Sequence, residues 1–563
     1  MKKQGFIRGS AILMSMIVIT KTVGIIYKIP LTNLLGGGGM AYYSGTFAIF
    51  APVYALWVSG ITPTVARLTA DCIISERYTD ALCLRRTARL IFFVLSVIPA
   101  ALLILLSGVL SKQLLGDQSA YIAVSLTAPM LVISALISVE RGFCEGMQDM
   151  QPTALSEILE AVFKAVSGIA LAFFTMSSCK NEYLSSGTVF GTSCASSEQA
   201  ARAALPYTAA AAVAGHVLAA FVSYIFVAYA GRRKSRELKR IKSPKDRKTR
   251  RHRTVAAELL SFSFPISVAA SISTLSITID LITITRGIKI AAAKGFSVDG
   301  ITENELPGFV YGSYSGLVLM LAGLAPTFTA MLGKSSLPLL TAAKKRGNKE
   351  QMKKLLEGIF LAASIIACPF AAAMAALPKE TLCFIFSGRT AEIAVSTLPL
   401  AICSAGVLFS SSCLPCLSVL QTLRQRKAPI VIMTVGATIR LILNLTLISK
   451  PRFNISGAAL SYSASQAVMF ILAFAAVVKA SGVFPKISKV FAAPIFAGVL
   501  CAVTARIAFD LFADHLSLRL AYICAAAFAG GVYIASLVLL DAVPIKNAKV
   551  IAKHKAGKVL KST

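Results

Sequence analysis

Three basic side chains interrupt long apolar stretches of the sequence at similar distances from the start of each stretch. Lys21, Lys164 and Arg440 each follow about twelve mostly apolar residues, or about 18 Å of α-helix at 1.5 Å per residue. Charges within membrane-spanning segments usually face a bundle interior or an aqueous cavity. Three cations at one depth could therefore bind an anionic group. Alternatively, each pairs locally or reaches the membrane surface, as Lys164 could by pairing with Glu160 four residues earlier.

Other charged residues have more than one interpretation. Lys28 and Arg67 lie near the ends of their apolar stretches, where they could line a cavity mouth or reach the membrane surface. Asp280 is a carboxylate well inside its stretch, and Arg286 follows it towards the end of the same stretch. Asp280 could pair with a cation, bind a coupling ion or relay protons.

The elements that carry these charges are predicted to be transmembrane helices. Of 563 residues, 56% are hydrophobic and 15% are charged, which is typical of a polytopic membrane protein. A helix needs about 20 apolar residues to cross a bilayer. We predict an all-α fold with about fourteen spans near residues 11–29, 41–69, 89–110, 121–140, 153–176, 205–230, 257–285, 307–332, 355–377, 394–420, 428–448, 455–478, 489–510 and 518–540.

The distribution of basic residues predicts the orientation of the chain. With the N-terminus in the cytoplasm, cytoplasmic segments hold about 40 Lys and Arg and outer segments about 10, as the positive-inside rule requires. We therefore predict a multi-pass protein of the cytoplasmic membrane with both termini cytoplasmic. A basic cytoplasmic face also explains the net charge of +32, so we do not expect nucleic acid as a partner.

A basic segment divides the predicted spans into six and eight. Residues 231–253 are too charged to fold alone, and we expect a solvated cytoplasmic linker. A contact with anionic membrane lipids is the alternative. The predicted domains are an N-lobe of helices 1–6 (1–230), the linker (231–254), a C-lobe of helices 7–12 (255–480), and helices 13 and 14 with a basic cytoplasmic tail (481–563).

Signals for enzyme chemistry are weak in this sequence. Its four histidines are scattered, and no complete phosphate-binding loop is present. We therefore expect a non-enzymatic protein without a cofactor, although coupling to a monovalent cation or to the membrane potential is left open. Cys179 and Cys194 share a predicted outer loop, and whether they pair is also left open.

Several stretches of the sequence resemble a known family. They include "KTVGIIYKIPLTNLLGGGGMAYYSGTFAIFAPVYAL", "ERGFCEGMQDMQPTALSEILEA", "ATIRLILNLTLI" and "NISGAALSYSASQAV". Together they resemble the stage V sporulation protein B group of polysaccharide-biosynthesis membrane proteins. In the second stretch, Gly142 and Gly146 are predicted to form a tight cytoplasmic turn between spans 4 and 5, with Pro152 in the first turn of the next helix.

The resemblance implies the multidrug/oligosaccharidyl-lipid/polysaccharide flippase superfamily, in which two six-helix lobes surround a central cavity. It also implies a relation to lipid II flippases, whose first span contributes basic residues to a cationic cavity. Lys21 matches one such position. Tyr27 stands where another basic residue is expected, and Lys28 lies beside it.

The function that the resemblance implies is the transport of a lipid-linked sugar. The substrate would be a polyprenyl-diphosphate oligosaccharide or a peptidoglycan precursor, moved by alternating access for cell-envelope or spore-cortex synthesis. Membrane lipids and envelope synthesis enzymes are further expected partners. A cation-coupled multidrug exporter of the same superfamily and a non-transporting scaffold for envelope assembly are the alternatives.

Overall fold

Helices make up almost all of the computed structural model, which describes residues 6–241, 251–423, 425, 427–540 and 542. The helices up to the middle of the chain are α1 Phe6–Val58, α2 Ile61–Ile74, α3 Tyr78–Leu110, α4 Tyr121–Gly146, α5 Gln151–Ser186, α6 Ser197–Lys239 and α7 His252–Ala292. Between α5 and α6, strands β1 Thr188–Val189 and β2 Thr192–Ser193 form a small antiparallel hairpin.

The later part of the chain is also helical. Its helices are α8 Leu306–Ser313, α9 Leu319–Ala322, α10 Leu324–Ser335, α11 Leu337–Lys345, α12 Lys349–Ala376, α13 Pro378–Ile385, α14 Thr390–Thr422, α15 Lys427–Leu447, α16 Asn454–Ser481, α17 Ala493–Ala513 and α18 Leu518–Leu539. Single turns of π- or 3₁₀-helix precede or join these helices at Ser111–Leu115, Gln118–Ala120, Tyr314–Val318 and Ser488–Ala492.

The number of membrane crossings agrees with the sequence prediction. Among the described residues, 12 helical segments are long and apolar enough to span a membrane. The first, Ser15–Ile74, has 60 residues. At 1.5 Å per residue it would be about 90 Å long, enough for two crossings of a hydrocarbon core of about 30 Å. A further bent pair, Leu306–Ala322 with Leu324–Gly333, adds one span. The prediction of about fourteen helices in an all-α membrane protein is therefore confirmed.

The chain forms two compact units that do not follow chain order. The first unit comprises Met1–Met320, Arg389–Ser396 and Met433–Ser461, and the second comprises Leu321–Gly388, Thr397–Ile432 and Tyr462–Thr563. All of the charged residues predicted to form a site belong to the first unit. The assignment of lobes at residues 1–230 and 255–480 stays a prediction.

Each unit has its own buried core. In the first unit, α2, α4 and α7 contribute residues such as Val65, Leu131 and Leu259, each with no more than 1% of its surface exposed. In the second unit, α12, α17 and α18 meet through small residues, among them Ala497 and Ala525, both fully buried. Small residues let helices approach closely in a membrane, where packing rather than water exclusion drives association.

Two sequence expectations are wrong in their details. Gly142 and Gly146 lie inside α4, not in a turn. They face α2, where a Cβ atom would lie 2.7 Å from the Thr62 carbonyl oxygen or 2.5 Å from that of Ala66. These glycines therefore permit close helix packing.

The start of the predicted linker is helical, because α6 continues to Lys239. Glu237 lies 3.8 Å from Arg233 and 3.6 Å from Lys234, so ion pairs along the helix offset part of the basic repulsion. The most basic part of the linker, residues 242–250, lies outside the described residues, as does the predicted tail from residue 543 onwards.

Candidate anion-binding site

Three lysines of the first unit form a cluster on α1 and α5, two helices that pack together. Lys21 is exposed, whereas Lys28 and Lys164 are half-buried. Lys164 is close enough to both other lysines for their positive charges to repel one another. Within the part of the chain that the structure describes, none of the three forms an ion pair. This lysine cluster therefore carries positive charge without a direct carboxylate partner.

An aromatic group with a histidine borders the lysine cluster. The Tyr43 hydroxyl lies 3.3 Å from the Tyr27 hydroxyl and 3.3 Å from His216 Nε2. His216 Nδ1 donates to the Ala212 carbonyl oxygen at 3.1 Å, because a carbonyl can only accept. Lys164 Nζ lies 5.7 Å from the centre of the Tyr27 ring, within the range of a cation–π interaction. The buried Tyr27 ring thus forms one wall of the cluster.

Helices α5 and α6 cross with their backbones in contact next to this aromatic group. A Cβ atom at Gly215 would lie 2.5 Å from Gly168 Cα, and one at Gly168 would lie 2.8 Å from the Tyr27 hydroxyl. Only small residues allow so close a crossing. Because Lys164 lies one turn before Gly168 and His216 follows Gly215, the crossing brings these two side chains to one place.

Arg141 joins three helices at the end of α4. Its guanidinium donates to Ser156 Oγ and Glu160 Oε2 on α5, both at 2.8 Å, and to Ser223 Oγ on α6 at 3.1 Å. The local ion pair between Glu160 and Lys164, predicted as an alternative, is therefore not formed, because the Glu160 carboxylate is paired with Arg141. Glu160 still attracts Lys164 electrostatically.

Glu140, the residue before Arg141, joins α4 to α3. The Glu140 carboxylate is fully buried and accepts from Arg85 at 2.7 Å and from Arg89. Arg85 also donates to Ser235 on α6 at 2.5 Å. The adjacent Glu140 and Arg141 therefore bind opposite neighbours, which explains why a polar segment interrupts the apolar sequence here.

Asp280 and Arg440 form a buried ion pair between α7 and α15. Their side chains are 5% and 10% exposed, and Arg440 Nη2 donates to Asp280 Oδ2. Asn444 donates to the other carboxylate oxygen at 3.2 Å and contacts Thr283 Oγ1 at 2.8 Å, while Ser461 donates to the amide oxygen of Asn444. The sequence allows Asp280 to pair with a cation, bind a coupling ion or relay protons. The structure shows the first of these, with Arg440 as the cation.

Arg67 and Arg286 lie apart from these two groups of contacts. Both side chains are exposed. The Arg67 guanidinium lies 4.5 Å from the centre of the Phe262 ring, so α2 and α7 meet through a cation–π contact. Arg286 makes no ion pair with a described residue, and Asp280 is paired with Arg440 instead.

A distant segment stabilises a break in α1. The helix is interrupted at Gly36, whose φ is 61°, a conformation that favours glycine. Glu392 Oε1 accepts from the Gly37 amide at 3.0 Å, at the start of the second half of α1. Arg389 donates to the Asn33 carbonyl oxygen, at the end of the first half. We call Arg389 and Glu392, which lie 3.6 Å apart, the clasp.

Sequence reasoning missed most of these partners. The pair Glu140–Arg141 was a usable signal, since opposite charges at the end of an apolar stretch need separate partners. The clasp gave no signal, because Arg389 lies just before α14 and Glu392 in its first turn, where a charged residue is ordinary.

The fold and the lysine cluster define a class of protein. A bundle of about fourteen membrane-crossing helices is the architecture of a multi-pass membrane protein. The family model described as "Polysaccharide biosynthesis protein" matches residues 6–197. The resemblance predicted from the sequence is thereby confirmed.

Three known proteins resemble this chain over most of its length. Stage V sporulation protein B of Bacillus subtilis (strain 168) is 23% identical over 491 residues, covering 87% of this chain and 86% of the relative. The solved structure of a lipid II flippase MurJ in an inward closed conformation covers 94% of this chain and 98% of its own, with a TM-score of 0.65 and 12% identity.

An inward-facing multidrug resistance MATE family transporter of the MOP superfamily has a TM-score of 0.56 and 13% identity, and covers 84% of this chain and 99% of its own. The protein therefore has the fold that these flippases and transporters share.

Proposed function

We propose that this protein is a flippase for a polyprenyl-diphosphate-linked oligosaccharide or peptidoglycan precursor, which it moves by alternating access for cell-envelope or spore-cortex synthesis. The observation that carries the proposal is the cluster of Lys21, Lys28 and Lys164, in which Lys164 lies near both other lysines and none has an ion-pair partner among the described residues. A diphosphate cannot enter hydrocarbon unaided, because desolvating its charges is very costly. Ammonium groups would supply short, charge-assisted hydrogen bonds to it.

The surroundings of the cluster support an anionic ligand over a cationic drug. Glu160 is already bound by Arg141, and Asp280 by Arg440, so neither carboxylate is available to attract a cation without losing an existing partner. The Arg440 guanidinium also occupies the carboxylate that a coupling cation would need. The membrane potential is therefore the energy source that this arrangement favours over a monovalent cation at Asp280.

The proposed orientation places both termini and the 231–254 linker in the cytoplasm, following the excess of basic residues on that side. The Arg141 and Glu140 contacts then lie at the cytoplasmic end of the bundle. Arg67 and Arg440 are proposed as further basic residues along the substrate path. Arg440 would act there while paired with Asp280.

The test is a flipping assay in proteoliposomes with a fluorescent polyprenyl-diphosphate sugar. Lys21→Ala and Lys164→Ala should each weaken substrate binding about tenfold or more, since a charged hydrogen bond contributes about 1.5–3 kcal/mol. The two losses should be less than additive if one diphosphate contacts both lysines. Lys21→Arg should be milder because the charge is retained. Lys180→Ala is the matched control, because Lys180 is an exposed lysine of the same helix α5.

Normal flipping by the Lys21→Ala/Lys164→Ala double variant, at equal abundance, would remove the proposed mechanism. If cells tolerate the double variant while the purified protein never flips lipid, the scaffold function is favoured. Export of a cationic drug by the wild-type protein that the Lys21→Ala/Lys164→Ala double variant retains would favour the multidrug exporter. Depletion of the protein, followed by identification of the lipid-linked precursor that accumulates, would identify the sugar.

A further inference from the structure

A cavity lies in the first unit, at the opposite end of α4 and α6 from the Arg141 contacts. Its volume is about 660 Å³. The second half of α1, the first turns of α4 and α6, the β1–β2 hairpin and the loop before α8 contribute side chains to it. In the proposed orientation it opens on the outer side of the membrane. We call this the outer cavity.

The lining of the outer cavity combines aromatic rings with uncharged polar groups. Tyr42, Tyr121 and Tyr207 present aromatic surface, and Ser119 and Gln199 present polar side chains. A tyrosine offers both a broad apolar face and a polar hydroxyl. Ligand cavities typically show such apolar surfaces with a few placed polar groups, in volumes of about 300–1,000 Å³.

Two of these tyrosines are held by neighbouring residues. The Tyr42 hydroxyl donates to Asp117 Oδ2, which fixes the ring where α1 meets the turn before α4. The Tyr207 ring packs on Phe190 of the hairpin, with centres 4.2 Å apart and an angle of 32° between the rings. The aromatic surface of the outer cavity is therefore largely preorganised.

The cation of the outer cavity is neutralised by the protein itself. Arg202 donates to Glu305 at 2.7 Å, to Glu198 at 2.8 Å and to the Gly300 carbonyl oxygen at 2.6 Å. Two carboxylates thus surround one guanidinium, which disfavours a phosphate ligand at this position. The lysine cluster has the opposite character, because its cations have no ion-pair partner in the part of the chain that the structure describes.

We propose that the outer cavity is a carbohydrate-binding site. This rests on the proposed function, because the ligand would be the sugar portion of the lipid-linked substrate. The C–H face of a sugar ring packs on tyrosine rings, while its hydroxyl groups exchange hydrogen bonds with Gln199, Ser119 and the carboxylates. The neutralised Arg202 keeps the cavity selective for the uncharged part of the substrate.

Binding of soluble oligosaccharides tests this site without any lipid or phosphate. Chitotriose and maltotriose are titrated against the purified full-length protein in lipid nanodiscs, with saturation-transfer NMR as the readout. We expect saturable binding of at least one of the two. Tyr121→Ala and Gln199→Ala should each weaken binding about fivefold, the scale of a single aromatic or polar contact. Both residues are exposed, and the hydrogen bond that the Gln199 side chain accepts from the Ala195 amide, at 2.9 Å, lies at the exposed start of α6, so we expect both variants to fold.

Tyr229→Ala is the matched control, because Tyr229 is an exposed tyrosine at the other end of α6, outside the cavity. Its sugar binding should equal that of the wild type. Inorganic pyrophosphate should not compete with the sugar, and its own binding should be lost in the Lys21→Ala/Lys164→Ala variant but kept in Tyr121→Ala. These two readouts separate a failure of the outer cavity from a failure of the lysine cluster.

Three results would overturn the carbohydrate site. They are no saturable binding of either sugar, sugar binding that Tyr121→Ala and Gln199→Ala leave unchanged, and a preference for trilysine over both sugars. The last would mean that the carboxylates Glu198 and Glu305 select a cationic peptide.

Discussion

At the scale of single residues, the decisive contrast is between charges that have a partner in the protein and charges that do not. Asp280, Glu140 and Glu160 are each bound by an arginine, whereas the lysine cluster has no ion pair within the described residues. Arginine suits fixed ion pairs because its planar guanidinium matches a carboxylate. Lysine is a flexible point charge, which suits contact with a ligand that must later leave.

The Asp280–Arg440 pair gives the first prediction. Asp280→Asn should destabilise the protein by about 3–5 kcal/mol, because it leaves a buried arginine without its counter-charge. The double variant Asp280→Asn/Arg440→Gln should recover part of that loss, since no unpaired charge remains. Thermal unfolding in detergent measures both. An unchanged melting temperature in Asp280→Asn, together with altered sodium or proton dependence of transport, would instead indicate a coupling site.

At the scale of elements, glycines determine how closely the helices approach. Gly142→Ala and Gly146→Ala should each destabilise the protein by about 1–3 kcal/mol, because the added methyl group meets the α2 backbone. Gly358→Ala in α12 is the control, since a Cβ atom there meets nothing within 4 Å. In that open position alanine should be neutral or stabilise the helix by up to about 1 kcal/mol. Equal melting temperatures for all three variants would contradict the close α2–α4 contact.

The break in α1 gives a prediction of the same kind. Gly36→Ala should destabilise the protein by about 1–2 kcal/mol, because alanine disfavours a positive φ and its methyl group would lie 2.6 Å from Arg389 Nη1. Gly24→Ala, in the same helix with nothing within 4 Å, should not. Thermal unfolding of both variants in the same detergent measures the difference. If Glu392→Gln and Gly36→Ala both leave stability unchanged, the clasp does not hold the break.

At the scale of the whole molecule, the orientation is the property to measure. Glu198→Cys and Arg233→Cys place thiols at exposed positions at the two ends of α6. In intact cells a membrane-impermeant maleimide should label Glu198→Cys, whereas Arg233→Cys should react only after permeabilisation. The unmodified chain reports the background from its native cysteines. The reverse pattern would invert the proposed topology.

The sequence predicted the fold class more fully than the site. Hydropathy and basic-residue asymmetry act locally along the chain, so the spans and the transporter-like fold could be found without coordinates. Contacts between distant segments leave no local pattern, so the partners of Arg141 and of Arg440 had to come from the structure. Gly142 and Gly146 were misassigned because a glycine-containing polar segment predicts a turn, although here the glycines serve helix packing.

The clasp also has a consequence for how the protein is made. Glu392 and Gly37 are 355 residues apart, so the ribosome must complete more than half of the chain before the two can meet. Until then the Gly37 amide and the Asn33 carbonyl lack these partners, and an unpaired amide or carbonyl is costly in lipid. The first helix to enter the membrane is therefore among the last to reach its final conformation. Until synthesis has passed residue 392, the break in this helix must be kept away from lipid by other contacts.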